Sequence, residues 1–509
     1  MGFEPDELAG SAAVVVTQQG EADGSTSWCP LFRHGCTFPP AVFDGVLLNL
    51  IRNPNINSSW LFRADILHDV EGNQLDAVAP ELPEHIPYLP SFDGFKLRRH
   101  IVRRLIPRST QRDKPMDQTC LIYEGSDRAE KTLVVYIPHA PDAEMPFYHP
   151  KVRGIAFLHE WTAAEERGSI SISYQFFEES DRSVVKLART ALQLLKVIYK
   201  HGQGRVAGYQ KRVHHDVLVP QTRLQNTYTV LKQKYARDLI KEWAESTDPV
   251  KHVFEDLCIA AFLIELWADM YQGVPFPGFV DIGCGNGLLV FILNREGFDG
   301  WGFDARSRKS WTAYSTKRKP CLANSDLVDS LQQLVLLPPP VNTERLPEIA
   351  GEDFAKELVH DGRFPRGTFI ISNHADELTP WTPILASVSD CPFIMIPCCS
   401  HDLTGSKFRA PAPKDKSKGG SSYASLVEWA ADIARDCGWD VEQEMLRIPS
   451  TRNTALVGRK RLSSENAPPF DLDAIVQKYG GTAGYLENVV KLATRTAAST
   501  GPEPEIDFH

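Results

Sequence analysis

At 509 residues the chain exceeds one ordinary domain, and two or three are expected. Sixty-five acidic against 55 basic residues leave a net charge of −10, which argues against indiscriminate nucleic-acid binding; neither DNA nor a membrane is expected as a partner. The longest apolar stretch, Cys258 to Ile264, is bounded by Glu255-Asp256 and Glu265, too short and too flanked by charge to span a bilayer, and reads as a buried helix.

Met1 to Glu7 lacks the basic start and apolar run of a secretory signal, and the ten cysteines show no regular spacing, so reduced thiols and a cytoplasmic setting are expected. Residues 1–25 are small, acidic and featureless and read as a disordered tail. Residues 26–246 read as an α+β region. Within it, Lys96 to Arg108 carries many cations and no acid, and Leu97, Ile101 and Leu105 at helical spacing predict a helix that presents Arg98, Arg99, Arg103 and Arg104. Strands are predicted at 118–123 and 132–137 around the turn Gly125-Ser126-Asp127, and again at 154–158 and 169–177. A second acid-free cationic stretch, Arg182 to His215, contains Lys186, Arg189, Lys196, Lys200, Arg205, Lys211 and Arg212, with Tyr199 and Tyr209 interleaved. Either stretch alone fits a solvated helix face; the pair in an acidic chain fits a track for a phosphate backbone. Thr222 to Trp243 is amphipathic, with Leu224, Tyr228, Leu231, Tyr235 and Leu239 on one stripe, and Asp248-Pro249 caps a further helix ending near Tyr271.

From 247 to 460 strands and helices alternate. Phe279 to Ile282 is a short apolar strand that enters a turn with glycine at 283, 285 and 287, followed by a helix from Leu288; the next strand, Trp301 to Phe303, ends on Asp304. Side-chain-free positions let a ligand approach the turn backbone, and a carboxylate closing the neighbouring strand can accept hydrogen bonds from both ribose hydroxyls. A dinucleotide fingerprint, G-x-G-x-x-G, needs a third small residue where this chain has Leu288, and Asp281 would repel a pyrophosphate while suiting an ammonium and a sulfonium. Asp281, Gly283, Gly285, Asn286, Gly287 and Asp304 are therefore read as a pocket for S-adenosylmethionine. Apolar strands at 368–372 and 391–396, a helix at 425–436 and an antiparallel pair at 440–448 and 454–458 complete a doubly wound, Rossmann-like sheet with a terminal antiparallel hairpin. Residues 461–509 read as C-terminal helices and a tail. Cys29, His34 and Cys36, and likewise Cys398, Cys399 and His401, are close enough to suggest a metal, but neither set has paired C-x-x-C spacing, and both are read as core or loop residues with no metal site.

His201 to Asp216, the glycine turn, Asn373 to Trp381, Pro397-Cys398-Cys399 and Arg447 to Arg452 together resemble the eukaryotic tRNA (uracil-2′-O)-methyltransferases over most of the chain from about 90 to 460. The resemblance implies a class I methyltransferase domain, S-adenosylmethionine as donor, and the ribose of uridine 44 in serine tRNA as substrate. It also implies that the region 26–246 shapes the tRNA surface.

Methylating a ribose hydroxyl requires oxygen, methyl carbon and sulfur in line, and removal of a proton with a pKa far above neutral. The segment after the fourth strand lies beside the donor. There Asn373 is expected to line the donor or orient the ribose, Asp376 or Glu377 to orient the nucleophile or hold a cation, and His374 to act as a base. The opposing readings are a helix-terminal charge pattern for the acids and a structural hydrogen bond for the histidine. Trp381 fits either base stacking or burial, and Arg447 and Arg452 either a phosphate grip or a salt-bridged turn. A Lys-Asp-Lys-Glu set, used by other ribose methyltransferases, is not transferred, because Cys398-Cys399 stands where its fifth-strand lysine would be. The competing functions are a non-catalytic tRNA-binding protein on a methyltransferase scaffold and a protein or small-molecule methyltransferase.

Overall fold

From Leu61 to Gln175 β-branched and aromatic residues recur at alternate positions, and the chain runs as a meander of six strands: 61–71, 95–107, 116–125, 131–138, 154–162 and 167–175. The computed structural model describes residues 2–8, 28–72, 90–108, 112–126, 130–208, 215–318, 327–351, 358–413, 421–462 and 470–494. Strand Cys29–Cys36 adds to the last meander strand, and Asp6–Glu7 adds to Cys29–Cys36, which makes an eight-stranded antiparallel sheet. One face is covered by helices Pro40–Arg52 and Val185–Val206, whose Phe43, Leu47, Leu50, Leu187, Ala191 and Leu195 pack on Ile101, Ile122, Val134 and Ile172. Trp28 and Phe92 cover a smaller cluster built on Leu121, Leu133 and Val135 of the opposite face.

Three expectations are corrected in this unit. Lys96 to Arg108 is not a helix but lies in the strand Phe95–Pro107. A spacing of four is even, so it suits one face of a strand as readily as of a helix; Ile101 and Leu105 do share a face, while a bulge between Leu97 and Arg99 turns Leu97 to the opposite one, and the cross-strand pairing decides. The stretch before residue 25 is not uniformly a tail, since Asp6–Glu7 pairs with Phe32 and Arg33; residues 9–27 lie outside the described residues. The chain divides into two compact units at Lys211 and Arg212, not at 246. Helix Gln221–Lys241 belongs to the second unit because its Leu224, Leu231 and Leu239 bury against helix Pro249–Met270, through Val253, Leu257 and Ala261.

In the second unit seven strands form one sheet, in the order 331–333, 300–304, 279–282, 369–373, 393–396, 454–461 and 439–445. The first five run parallel, and 454–461 is antiparallel to both of its neighbours. Successive residues of the central strands serve opposite faces: Phe369, Ile371, Ile394 and Ile396 join helices 221–241, 249–270 and 288–295, while Ile370, Phe393 and Met395 join helices 382–389 and 422–436. Burial on both faces accounts for the unbroken apolar runs. The C-terminal helices Leu472–Lys478 and Tyr485–Thr494 pack into this second core through Ile475, Val476, Tyr485 and Val489. Asp248 accepts hydrogen bonds from Val250 and Lys251 N–H and so caps helix 249–270, whose Cys258–Leu263 run is buried. Among the described residues no helix is long and apolar enough to cross a membrane.

Candidate active site

Strand Phe279–Ile282 ends in a turn whose geometry only glycine tolerates. Gly283 has φ 72° and lies where a Cβ would come within 3.0 Å of Ala375 Cβ. At Gly285, φ 53°, a Cβ would point into open space, so the backbone there is bare to a ligand. The turn is pinned from outside: Ser310 Oγ donates to Asn286 O at 2.8 Å, and Trp311 Nε1 donates to Gly285 O at 2.9 Å. Asp304, at the end of the adjacent parallel strand, accepts from Gly285 N at 3.1 Å with one oxygen and from Arg306 N at 3.0 Å with the other. Its carboxylate is thus locked across the mouth of the turn, with lone pairs left on both oxygens.

Two clefts meet at this turn, and Gly283, Gly285, Arg308 and His374 line both. The smaller, about 200 Å³, is bounded by Asp304, Ala305, Leu334, Leu336, Asp376 and Glu377. The larger, about 500 Å³, is bounded by Asp281, Asn286, Asn373, Glu255, Asp256 and Cys398. Asp281 is 1% exposed, and its Oδ1 has no hydrogen-bond partner. Burial, and then the charges of Asp256 and Asp304, hold its carboxyl well above the usual carboxylate range. Asp256 is pushed up to about 7 by burial and by Glu255, against the pull of a 3.3 Å hydrogen bond from Asn373 Nδ2. Asn373 Oδ1 is buried without a partner. A buried acid pair with unpartnered acceptors on a bare turn is the donor set a cationic ligand requires, and S-adenosylmethionine, with its ammonium and sulfonium, fits it.

His374 and Asp376 both take left-handed backbone, at φ 52° and 43°, which costs on the order of 1–3 kcal/mol each for residues with a Cβ. The turn aims His374 Nε2 at Glu255 Oε1, 3.1 Å away, and Asp376 Oδ1 at Cys398 Sγ, 3.1 Å away. Burial raises the carboxyl of Glu377. The expected catalytic residues His374, Asp376 and Glu377 therefore all reach the clefts.

Other expected site residues divide. Gly287 does not line either cleft; a Cβ there would meet Leu331 at 2.4 Å, so its role is helix–strand packing. Asn286 lines the larger cleft, but its Oδ1 accepts from Leu288 N at the start of the following helix. Trp381 is fully buried, with Nε1 donating to Leu403 O and its ring against Tyr485, which excludes base stacking. Arg447 pairs with Asp216 at 2.5 Å, while Arg452 lies over the Tyr423 ring and lines the larger cleft.

The cationic strand residues are mostly neutralised. Arg98 pairs with Asp44, Arg99 with Asp69 and Glu71, and Arg104 with Asp117, while Arg103 is buried and donates to Gln118 and to the Leu50 and Ile51 carbonyls. Neighbouring strands supply the acids for Arg99 and Arg104, and helix Pro40–Arg52 supplies Asp44 for Arg98, which removes these arginines from a phosphate track. Lys200 and Arg205 are exposed; Lys211 and Arg212, with Tyr209, lie outside the described residues. Cys36 is buried in the core, His34 stacks on Phe3, and of the two candidate metal sets only Cys398 and Cys399 come together with a further donor, Asp376 in place of His401. Sequence reasoning missed Glu255 and Asp256 as site residues. Two adjacent acids about two turns into helix Pro249–Met270, directly before its buried apolar run, were the available signal.

Two family models match the chain: residues 8–212 match a TRM44-like, N-terminal bet v1-like domain, and residues 218–328 match a predicted AdoMet-dependent methyltransferase. The chain is 66% identical to a tRNA (uracil-O(2)-)-methyltransferase of Neurospora crassa over 97% of this chain and 98% of that protein. It is 39% identical to the enzyme of that name in Schizosaccharomyces pombe over 94% and 95% of the two chains, and 35% identical to that of Saccharomyces cerevisiae over 92% and 93%. An α+β sheet domain followed by a donor pocket at a glycine turn, matched end to end by these relatives, places the chain in the tRNA (uracil-O(2)-)-methyltransferase family.

Proposed function

We propose that the protein transfers the methyl group of S-adenosylmethionine to the ribose 2′-oxygen of a uridine in tRNA. The carrying observation is the Asp304 carboxylate locked across the bare glycine turn, with the buried Asp281–Asp256 pair on the other side of the same turn. The parallel strands flanked by an antiparallel terminal pair correspond to a doubly wound, Rossmann-like class I methyltransferase sheet. The sequence resemblance points to uridine 44 of serine tRNA as the target, in the cytoplasm.

S-adenosylmethionine supplies a methyl carbon activated by a sulfonium sulfur. Asp304 would accept hydrogen bonds from its ribose hydroxyls, and Asp281 and Asp256 would face its ammonium. Asn373, tied to Asp256 through Nδ2, presents a free Oδ1 beside them. His374, steadied by Glu255, would take the proton of the ribose hydroxyl. Purified protein with labelled donor and unmodified serine tRNA should place label on ribose. His374→Ala should lower kcat by ~10²–10⁴-fold with donor affinity retained. Label on the base, or undiminished kcat in the variant, would contradict the assignment.

Helix Val185–Val206 supports a tRNA surface in the N-terminal unit. Lys186, Arg189, Lys196 and Lys200 are exposed at spacings of three, seven and four residues, which puts them on one side of the helix, and among the described residues none has an ion-pair partner. Lys186 and Arg189 also border a cleft of about 590 Å³ whose rim carries Trp60 and Phe147, 48% and 46% exposed, in edge contact at 4.7 Å. Cations for phosphates next to exposed rings for bases are the two components of single-strand recognition. Changing the four cations to glutamine should reduce the slope of log affinity for tRNA against log salt by ~3, leaving donor affinity intact. An unchanged slope would remove this face from the tRNA path.

A further inference from the structure

We propose that Asp376, Cys398 and Cys399 form a binding site for a thiophilic divalent cation, zinc by preference, at the rim of the donor pocket. One ligand atom from each residue, a carboxylate oxygen and two sulfurs, lies within 4.8 Å of the other two. In a tetrahedral zinc site, with Zn–S ~2.3 Å and Zn–O ~2.0–2.2 Å, donor atoms sit roughly 3.5–3.8 Å apart, so small side-chain adjustments close this trio around an ion. Two thiolates with one carboxylate select zinc over magnesium or calcium, which prefer all-oxygen shells.

The backbone assembles the trio. Strands 369–373 and 393–396 run parallel with Asn373 opposite Ile396, so the segments 374–376 and 397–399 leave the sheet side by side. The left-handed backbone at Asp376 turns its carboxylate back onto Cys398. Nothing in the apolar packing asks for that conformation, since Asp376 and Cys399 are exposed and Cys398 half-buried. Strain held at an exposed carboxylate beside two adjacent thiols is accounted for by a ligand that all three share.

Three protein donors leave a fourth position open, the arrangement of a catalytic rather than a structural zinc. Cys398 lines the larger cleft with His374, and Asp376 lines the smaller one with Asp304. Among the described residues Lys251, Arg306, Arg308 and Arg452 are the cations bordering the clefts, and none of them offers a coordination position. A cation at the trio would supply positive charge at this rim and a coordination position for an oxygen ligand, water or a nucleotide hydroxyl, whose proton it would make easier to remove. That last role rests on the methyl-transfer reading; cation binding does not.

The test uses the full chain purified without chelator. Zinc at one equivalent per chain is expected by elemental analysis, and replacement by cobalt(II) should produce a thiolate-to-cobalt charge-transfer band in the near ultraviolet. Cys398→Ser and Cys399→Ser should each diminish the band, and the double variant should abolish it. Asp376→Asn should weaken zinc affinity by at least the ~10–100-fold that loss of a mere supporting residue costs a metal site. A urea unfolding midpoint close to wild type in every variant reports that the fold is intact. Absence of metal and of the band in protein that binds S-adenosylhomocysteine overturns the proposal, as does an undiminished band in the double cysteine variant. Failure of the methyltransferase reading is separate: it appears as no transfer to tRNA, whatever the metal content.

Discussion

Asp304→Ala should weaken S-adenosylhomocysteine binding by about 10²–10⁴-fold and leave the protein folded. The magnitude follows from two hydrogen bonds to a charged acceptor, at ~1.5–3 kcal/mol each. The carboxylate also holds the Gly285 and Arg306 amides, so part of the loss comes from a turn that is no longer pre-shaped. Asp304→Asn separates the two contributions. It keeps one acceptor oxygen but turns an NH₂ group toward one of those amides, so it should fall between wild type and alanine. Titration calorimetry checks the affinities, and a urea midpoint close to wild type checks the fold. Unaltered affinity in the alanine variant would remove the ribose from this carboxylate and the donor from this pocket.

Asp256→Asn should make the ligand-free protein more stable above pH 7, by up to ~4 kcal/mol, while weakening donor binding. In the unfolded chain this carboxyl loses its proton near its ordinary value of 3.8, and in the folded chain only near about 7. Between those values the native protein holds a proton at Asp256 that the unfolded chain lacks, so the contribution of this group to stability falls as pH rises through the window from about 4 to 7 and then levels. Each pKa unit is worth ~1.4 kcal/mol, which sets the size of the effect. Asparagine has no proton to lose, so the share of the slope that belongs to Asp256 should vanish, leaving that of Asp281, whose carboxyl is raised as well. Lys251, Arg308 and Arg452 line the same cleft, but Glu255 and Asp281 lie beside Asp256, and the buried acids outweigh the cations at the cleft wall. A cationic ligand favours the ionised cluster, so donor affinity in the wild type should rise with pH up to about 7, with proton release on binding. Stability profiles of wild type and variant that run parallel across that window would refute the linkage. The instability of the ligand-free acid pair is the expected counterpart of its affinity for a cation.

The glycine turn and the Asp304 strand end could be read in one dimension because such a turn needs a local pattern: absent side chains in fixed order and, at the next strand end, an acid that accepts from its backbone. The alternation of apolar strands and helices after residue 279 was legible for a similar reason, since burial on both faces leaves unbroken apolar runs. What the chain could not declare were interactions between distant segments. A four-residue spacing suits a helix face and a strand face equally, so Lys96 to Arg108 was settled only by its neighbours in the sheet, and those neighbours carry the acids that neutralise Arg99 and Arg104, while a covering helix carries the one for Arg98. Glu255 and Asp256 read only as the charged flank of an apolar run until packing set their helix against the carboxyl end of strand 279–282 and put them in the wall of the larger cleft. Asp376 joined the two cysteines in the same way, across 22 residues that parallel pairing brings side by side. Local chemistry is written in local sequence; charge compensation, burial of acids and the meeting of ligand atoms depend on which segments the fold makes neighbours.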